Sequence, residues 1–437
     1  MNIVQKCGTY LLFFSLPAIA ALKGKGTVGL LILAFLLFGL LEVPRFFKEK
    51  EWKKMLPLTP QKIYFWLGAL GIWMFASIFW SQDIFLELGH FAKFLALIIL
   101  SFFTYFGIKK LPSKDKIFFS KAFFYGFTFY ILFYAIEIYG GGLASKALTN
   151  SNGYNRDLFL RGVIILTLFL VPFSLLLPRL LTNKKALWTG GSLLFLVSTA
   201  ILLRAHPSAA ALAAIVGIVS FSLVYWKKSF GPLIGVFIGA LTLFSPVIFV
   251  YFINEQTLLN YMHYLGTSAQ HRLQLWHDLS LKILNSPFLG YGFNFSPYVT
   301  GGRFRAAYYS KKTLLNGPLS AAHSVIEDGI VPQSWGSIVY YGDSVFGRHP
   351  HNGFIQVWLE FGLVGVMLLL GLGYAFVRLL SQIQNREARS ASFALFFMYV
   401  VFWSISFGIW QNWMIAMVAL TIILFKVIKD LPKKIGR

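Results

Sequence analysis

The 437-residue chain has a single cysteine, Cys7, and 16 acidic residues against 39 lysines and arginines. A lone thiol excludes an intrachain disulfide and a cysteine-built metal site. Charged residues of both signs make up only 13% of the chain, too little for a water-soluble globular protein of this length. No GxxxxGK[ST] loop is present, which argues against ATP hydrolysis. There is also no HExxH or paired-aspartate motif, and the acids of the longest hydrophilic segment (Glu255, Asp278, Glu327, Asp328, Asp343) lack metal-ligand spacing. The chain is therefore expected to need no metal and no cofactor. The alternating pattern of a membrane β-barrel is missing as well.

What is present is apolar: 57% hydrophobic residues, 18% aromatic, mean hydropathy +0.67. Windows of about 17 to 25 apolar residues recur from end to end, each able to cross a bilayer core as a helix. They predict an all-α polytopic membrane protein of about 12 spans, near 7–22, 27–43, 63–80, 88–108, 118–138, 158–177, 187–203, 209–226, 232–253, 353–377, 392–409 and 412–428. The first of these resembles a signal peptide, with Lys6, an apolar stretch and the small residues 18–21, but another span follows at once and a retained helix is expected. The net charge of +23 sits in short connections (45–54, 109–116, 178–185, 227–228) and in the tail 429–437, the distribution of cytoplasmic loops rather than of a nucleic-acid groove. An even span count with a basic tail places both termini in the cytoplasm. By the same parity, 81–87, 139–157, 203–208 and 254–352 lie on the outer face.

The expected organisation is a transmembrane bundle over 1–253, a large, partly helical outer loop over 254–352, and C-terminal helices with a basic tail over 353–437. A hundred residues without a span exceeds what a connector needs, and such loops are usually functional. The loop opens on an amphipathic helix near 270–285, in which Leu273, Trp276, Leu279 and Ile283 share one side. It closes on GRHPHNGFIQVWLEFGLVG (347–365), where Arg348, His349, His351 and Asn352 adjoin the next span. Pro350 suits a first helical turn, so the span is expected to begin there. His351 would then lie in that turn, where the helix dipole and Arg348 favour a neutral, proton-accepting imidazole. Interfacial capping by the two histidines is the plainer alternative.

Arginines recur on the outer side: Arg156, Arg161, Arg204, Arg272, Arg303, Arg305 and Arg348. Arg204 ends one span and almost opens another, where a cation without an anionic partner is costly. Each taken singly could snorkel to lipid phosphate. Several on one face with few acids suggest a phosphate ligand, for which guanidinium is suited. Charges inside the spans are scarce, Lys93 being an exception.

His351-Asn352, nine residues and Gly362-x-x-Gly365 together are similar to the H-N-x9-G-x-x-G signature of the O-antigen ligase and polymerase superfamily. Arg272-x-x-x-Trp276 followed by Pro287-x-x-Gly290-x-Gly292 resembles a second stretch of that family, and the segment led by Arg204 resembles a third, although His206 and Pro207 depart from its pattern. The resemblance, closest to the O-antigen ligases of lipopolysaccharide biosynthesis, implies a GT-C-class glycosyltransferase of the bacterial inner membrane with a periplasmic active site. It implies undecaprenyl pyrophosphate-linked glycan as donor and lipid A-core oligosaccharide as acceptor, joined by inversion without a metal. It makes His351 the catalytic residue, as base or as orienter of the acceptor hydroxyl. Arg204 and Arg272, with Arg161 as a weaker candidate, would bind pyrophosphate, and His349, Asn352 and Arg348 would support them. The rival readings are an O-antigen polymerase using the same donor and a transporter of lipid-linked glycan.

Overall fold

The computed structural model describes residues 12–15, 26–51, 53, 62–149, 156–180, 197–201, 208–253, 267–299 and 350–432. All regular structure among the described residues is helical, as a hydrocarbon solvent requires of a chain that is not a closed barrel, because a helix satisfies its backbone groups within the segment. Helix α1 (Gly26–Ala34) runs through one π turn (Phe35–Gly39) and bends by 52° into α2 (Glu42–Lys48). There follow α3 (Ile63–Ser77), α4 (Ile84–Lys109), α5 (Ser113–Tyr139), the short α6 (Leu143–Thr149), α7 (Arg156–Leu180), α8 (Ser208–Trp226) and α9 (Phe230–Tyr251). Then come α10 (Thr267–Asn285), α11 (Gly353–Ser381), α12 (Arg386–Ile405) and α13 (Asn412–Lys429).

Among the described residues nine helices are long and apolar enough to span a membrane, and the bent α1–α2 pair would make ten. Two of the expected twelve spans, 7–22 and 187–203, fall largely outside the described residues. So does most of the expected outer loop, of which 267–299 and 350–352 are described. Helix α10 occupies the place expected for the amphipathic segment. It buries Leu275, Trp276, Leu279 and Ile283, with Leu273 partly buried at the edge of the same cluster.

Beside a small cluster of Val224, Val377, Leu380, Phe393 and Phe397, two larger apolar cores organise the bundle among the described residues. One is aromatic and lies between α5, α7 and α13: Phe123 and Phe169 meet edge to face at 5.5 Å and Phe127 and Phe173 pack with tilted rings at 4.9 Å, while the Tyr130 hydroxyl donates to the Gly162 carbonyl. The other joins α10 to α11 through Trp276, Ile283, Ile355, Trp358 and Phe361, and takes in Phe293 and Phe295 from the turn after α10. The two ends of the bundle differ. Lys110, just past α4, pairs with Glu42 at 2.6 Å, and Lys116 in the first turn of α5 pairs with Asp430, just past α13, at 2.7 Å. Basic connections thus gather where α4 and α13 end. The starts of α4, α11 and α13 meet at the opposite end, and the candidate site is there.

Candidate functional site

The centre of this end is an interrupted helix. Inside α11, Gly362 has φ 59° and ψ −161°, which no helix accommodates. An unbroken helix would aim the Leu363 and Val364 N–H groups at the Leu359 and Glu360 carbonyls. The turn 287–292 is inserted between those groups instead. Leu363 N–H donates to the Pro287 carbonyl at 2.7 Å and Val364 N–H to the Phe288 carbonyl at 3.3 Å, while Tyr291 and Gly292 N–H donate to the Leu359 and Glu360 carbonyls, each at 2.9 Å. The Trp73 indole N–H reaches the next carbonyl, that of Phe361, at 3.3 Å. Four backbone hydrogen bonds between two segments replace two within one helix, so the break leaves none of these buried groups unpaired. Gly290 (φ 69°) and Gly292 (φ 99°) adopt backbone conformations that glycine reaches without strain. The glycine-rich stretch after α10 and the glycines of the 351–365 stretch are therefore two halves of one backbone joint.

His351 stands just outside α11. The helix begins at Gly353, later than the expected start at Pro350, because the Asn352 side chain takes the N-cap, accepting from Phe354 N–H at 3.0 Å and Ile355 N–H at 3.2 Å. Asn352 is buried and holds the end of the helix. His351 is left with φ 53°, a left-handed conformation that histidine tolerates better than most residues. Its Nδ1 lies 2.9 Å from the Ser406 carbonyl oxygen. A carbonyl only accepts, so Nδ1 carries the hydrogen, and in the neutral ring the basic lone pair is on Nε2. The tautomer is thus set by the connection between α12 and α13, not by the first turn of α11.

Arg272 and Trp276 lie four residues apart on one face of α10. The Trp276 indole N–H donates to the Pro350 carbonyl at 2.9 Å, which joins α10 to the residue before His351 and brings the Arg272 side of the helix to the same edge. Burial holds the Arg272 guanidinium below its usual range, and it makes no ion pair among the described residues. Such a cation gains from an anionic ligand. Arg161 is exposed at the start of the α7 span, its guanidinium 5.8 Å from the Trp413 ring centre. It therefore meets the first turn of α13, just past the connection that carries Ser406. Arg204, Arg348 and His349 lie outside the described residues. Trp276→Phe should lower the melting transition by the equivalent of about 1–3 kcal/mol, the cost of leaving the buried Pro350 carbonyl without a donor, as read by thermal unfolding of the detergent-solubilised chain.

Two carboxylates that the sequence patterns do not single out tie the site together. Glu360 is fully buried and accepts from Ser296 Oγ at 2.7 Å, Gln356 Nε2 at 2.9 Å, the Trp410 indole and the Asn294 main-chain N–H. The Oε1 of Gln356 accepts from Ile409 N–H at 3.1 Å. Glu360 therefore links the inserted turn to the connection whose Ser406 carbonyl orients His351. Glu87, near the start of α4, is also fully buried and is bonded by His90, Asn294 and Tyr298. A lone acid inside an apolar run is the signal that could have found Glu360; for Glu87 and His90 it is the three-residue spacing. Burial, with the adjacent Glu87 charge, pushes the Tyr298 phenol up to about 12. The folded chain thus holds this proton more tightly than the unfolded chain does. The stability this contributes is complete below pH about 10 and lost by about pH 12. A difference ultraviolet titration of the chain against Tyr298→Phe should show the missing phenolate only near the upper end of that window.

Fold and site together define a class: a polytopic, helical membrane protein in which an amphipathic helix and a glycine-rich turn are built into a broken span beside a carbonyl-anchored histidine. Residues 191–370 match the family model described as O-antigen ligase, and proteins provisionally named polysaccharide ligases are similar to most of the chain. A protein of Rickettsia conorii, provisionally named a polysaccharide ligase, is 27% identical over 384 residues, covering 87% of this chain and 82% of its own. One of Rickettsia typhi with the same provisional name is 25% identical over 436 residues, 95% of this chain and 96% of its own. A third, of Rickettsia prowazekii, is 32% identical over 167 residues, 38% of this chain and 34% of its own. All of α10, the inserted turn and the part of α11 up to Leu370, Gly362 included, lie inside the matched region.

Proposed function

We propose that this chain is an O-antigen ligase of GT-C class that transfers a glycan from undecaprenyl pyrophosphate to a hydroxyl of lipid A-core, at the periplasmic face of the inner membrane and without a metal. The acceptor oxygen attacks the anomeric carbon as the bond from that carbon to the pyrophosphate oxygen breaks. The leaving pyrophosphate takes the electron pair, and the acceptor proton passes to His351 Nε2. Arg272, with Arg204 and Arg161, balances the charge that develops on the pyrophosphate. No ATP is consumed, because the diphosphate is already an activated leaving group. His349 and Arg348 flank the histidine as supporting groups, and both termini face the cytoplasm.

The observation that carries this reading is the anchoring of His351 Nδ1 on the Ser406 carbonyl at 2.9 Å, one residue from the carbonyl bonded by Trp276. A base needs its tautomer held by a third group, and a diphosphate leaving group needs a desolvated cation, for which Arg272 qualifies. The test is reconstitution of the purified chain with undecaprenyl pyrophosphate-linked glycan and lipid A-core, with products resolved by mass. Glycan covalently joined to lipid A-core is expected. Extension of the lipid-linked glycan itself, with lipid A-core untouched, would replace the ligase by a polymerase. Movement of glycan across the bilayer with no new covalent product would replace it by a transporter.

A further inference from the structure

The start of α4 carries polar residues at positions 83, 87, 90 and 93, a spacing that keeps them along one side of the helix. Glu87 uses both oxygens: Oε2 is 3.0 Å from His90 Nδ1, and Oε1 accepts from Asn294 Nδ2 at 3.1 Å and from the Tyr298 hydroxyl at 3.2 Å. Asn294 Nδ2 also lies 3.2 Å from His90 Nδ1. Glu87 is fully buried, whereas the His90 side chain is 39% exposed. A carboxylate oxygen accepts, so the ring donates from Nδ1, and its second nitrogen is Nε2. That nitrogen has no partner among the described residues.

Lys93 is one turn further on. It is exposed and makes no ion pair among the described residues. It lies nine residues past Ile84 in a 26-residue span, or about 14 Å along the axis at 1.5 Å per residue. A lysine at that depth is costly unless an anion or water meets it. Snorkelling would account for Lys93 alone. It does not account for a histidine one turn away whose ring is braced on a wholly buried carboxylate by a loop residue. That residue, Asn294, also bonds Glu360 through its main-chain N–H, so the patch is built into the same network as the His351 site. It lies deeper in the span than His351, which precedes the first turn of α11.

We propose that His90 and Lys93 form a phosphate-binding edge at membrane depth that takes the diphosphate of a polyprenyl-linked donor. The proposal rests on the reading of the chain as a polyprenyl diphosphate-dependent glycan transferase. The donor diphosphate would then lie between this edge and the arginines of the outer site, with the neutral acceptor sugar beside His351. The shared ligand chemistry is a lipid-borne or free phosphate anion, and the sources are separable by experiment.

The test measures binding of undecaprenyl diphosphate, phosphatidylglycerol and inorganic pyrophosphate to the full chain in phosphatidylcholine nanodiscs. His90→Asn keeps a donor for Glu87 and removes Nε2, and Lys93→Gln changes an exposed position that the fold does not need. Each should weaken undecaprenyl diphosphate about tenfold, near 1.4 kcal/mol, with Lys93→Arg restoring it. Unchanged affinity in both variants overturns the proposal. An equal loss for phosphatidylglycerol overturns the donor assignment in favour of general phospholipid contact, and a loss confined to inorganic pyrophosphate overturns the lipid assignment. If the unaltered chain forms glycan-lipid product while both variants bind normally, only this inference fails. If it forms no product and binds no undecaprenyl diphosphate, the transferase reading fails with it.

Discussion

On the proposed transferase reading, His351→Ala is expected to reduce glycan transfer by at least about 100-fold, the low end of what a positioned base contributes, in a chain that still folds and inserts. The histidine lies outside α11 and is half-buried, so its removal opens no core cavity, while the helix end is held independently by Asn352. The more informative variant is His351→Asn. Asparagine tolerates a left-handed backbone, and its amide can donate to the Ser406 carbonyl as Nδ1 does, yet it has no counterpart to Nε2. If the histidine serves only to anchor the α12–α13 connection, His351→Asn restores transfer. If Nε2 receives the proton, transfer stays at the level of the alanine variant while the melting temperature returns to that of the parent. Product formation by the alanine variant at the parental rate would remove His351 from the mechanism altogether.

Gly362→Ala is expected to have the largest effect on the protein itself. A Cβ at this position would stand 2.3 Å from the Phe288 carbonyl oxygen and 2.7 Å from Gly290 N, distances that no side-chain adjustment relieves because both partners are backbone. The left-handed conformation adds about 1–2 kcal/mol for any residue with a Cβ. The inserted turn must move, and its four hydrogen bonds to α11 go with it. Each buried group then left without a partner costs about 1–3 kcal/mol. The expected result is loss of monodisperse protein on solubilisation, or a melting transition lowered by about 10 °C, roughly 9 kcal/mol at an unfolding entropy of about 2.1 cal/mol/K per residue. Gly290→Ala should act in the same way, since its Cβ would meet the Glu360 carbonyl group at 2.6 Å. Parental melting in both variants would show that the joint is not what holds the two segments together. Gly373→Ala, at a position with open space around it, is the control.

Several features are legible in the amino-acid sequence by itself. The apolar windows, the scarcity of acids and the basic connections specify a polytopic helical protein, because burial of backbone polar groups in hydrocarbon permits little else. The amphipathic spacing of 273, 276, 279 and 283 specifies α10, and two short patterns mark His351, Arg272 and Trp276. These are local properties, contained within one or two helical turns.

What only the tertiary structure decided is how distant segments complete one another. Gly362 and Gly290 are 72 positions apart, yet each is required by the backbone of the other, and a glycine by itself does not declare which chain will approach it. The tautomer of His351 depends on a carbonyl 55 residues away, and the start of α11 on a capping side chain that outcompeted Pro350. Glu87 and Glu360 look like isolated acids in apolar runs. They become the struts of the site because a buried carboxylate must collect donors wherever the fold brings them, and those donors come from helices and turns with no sequence relation to one another.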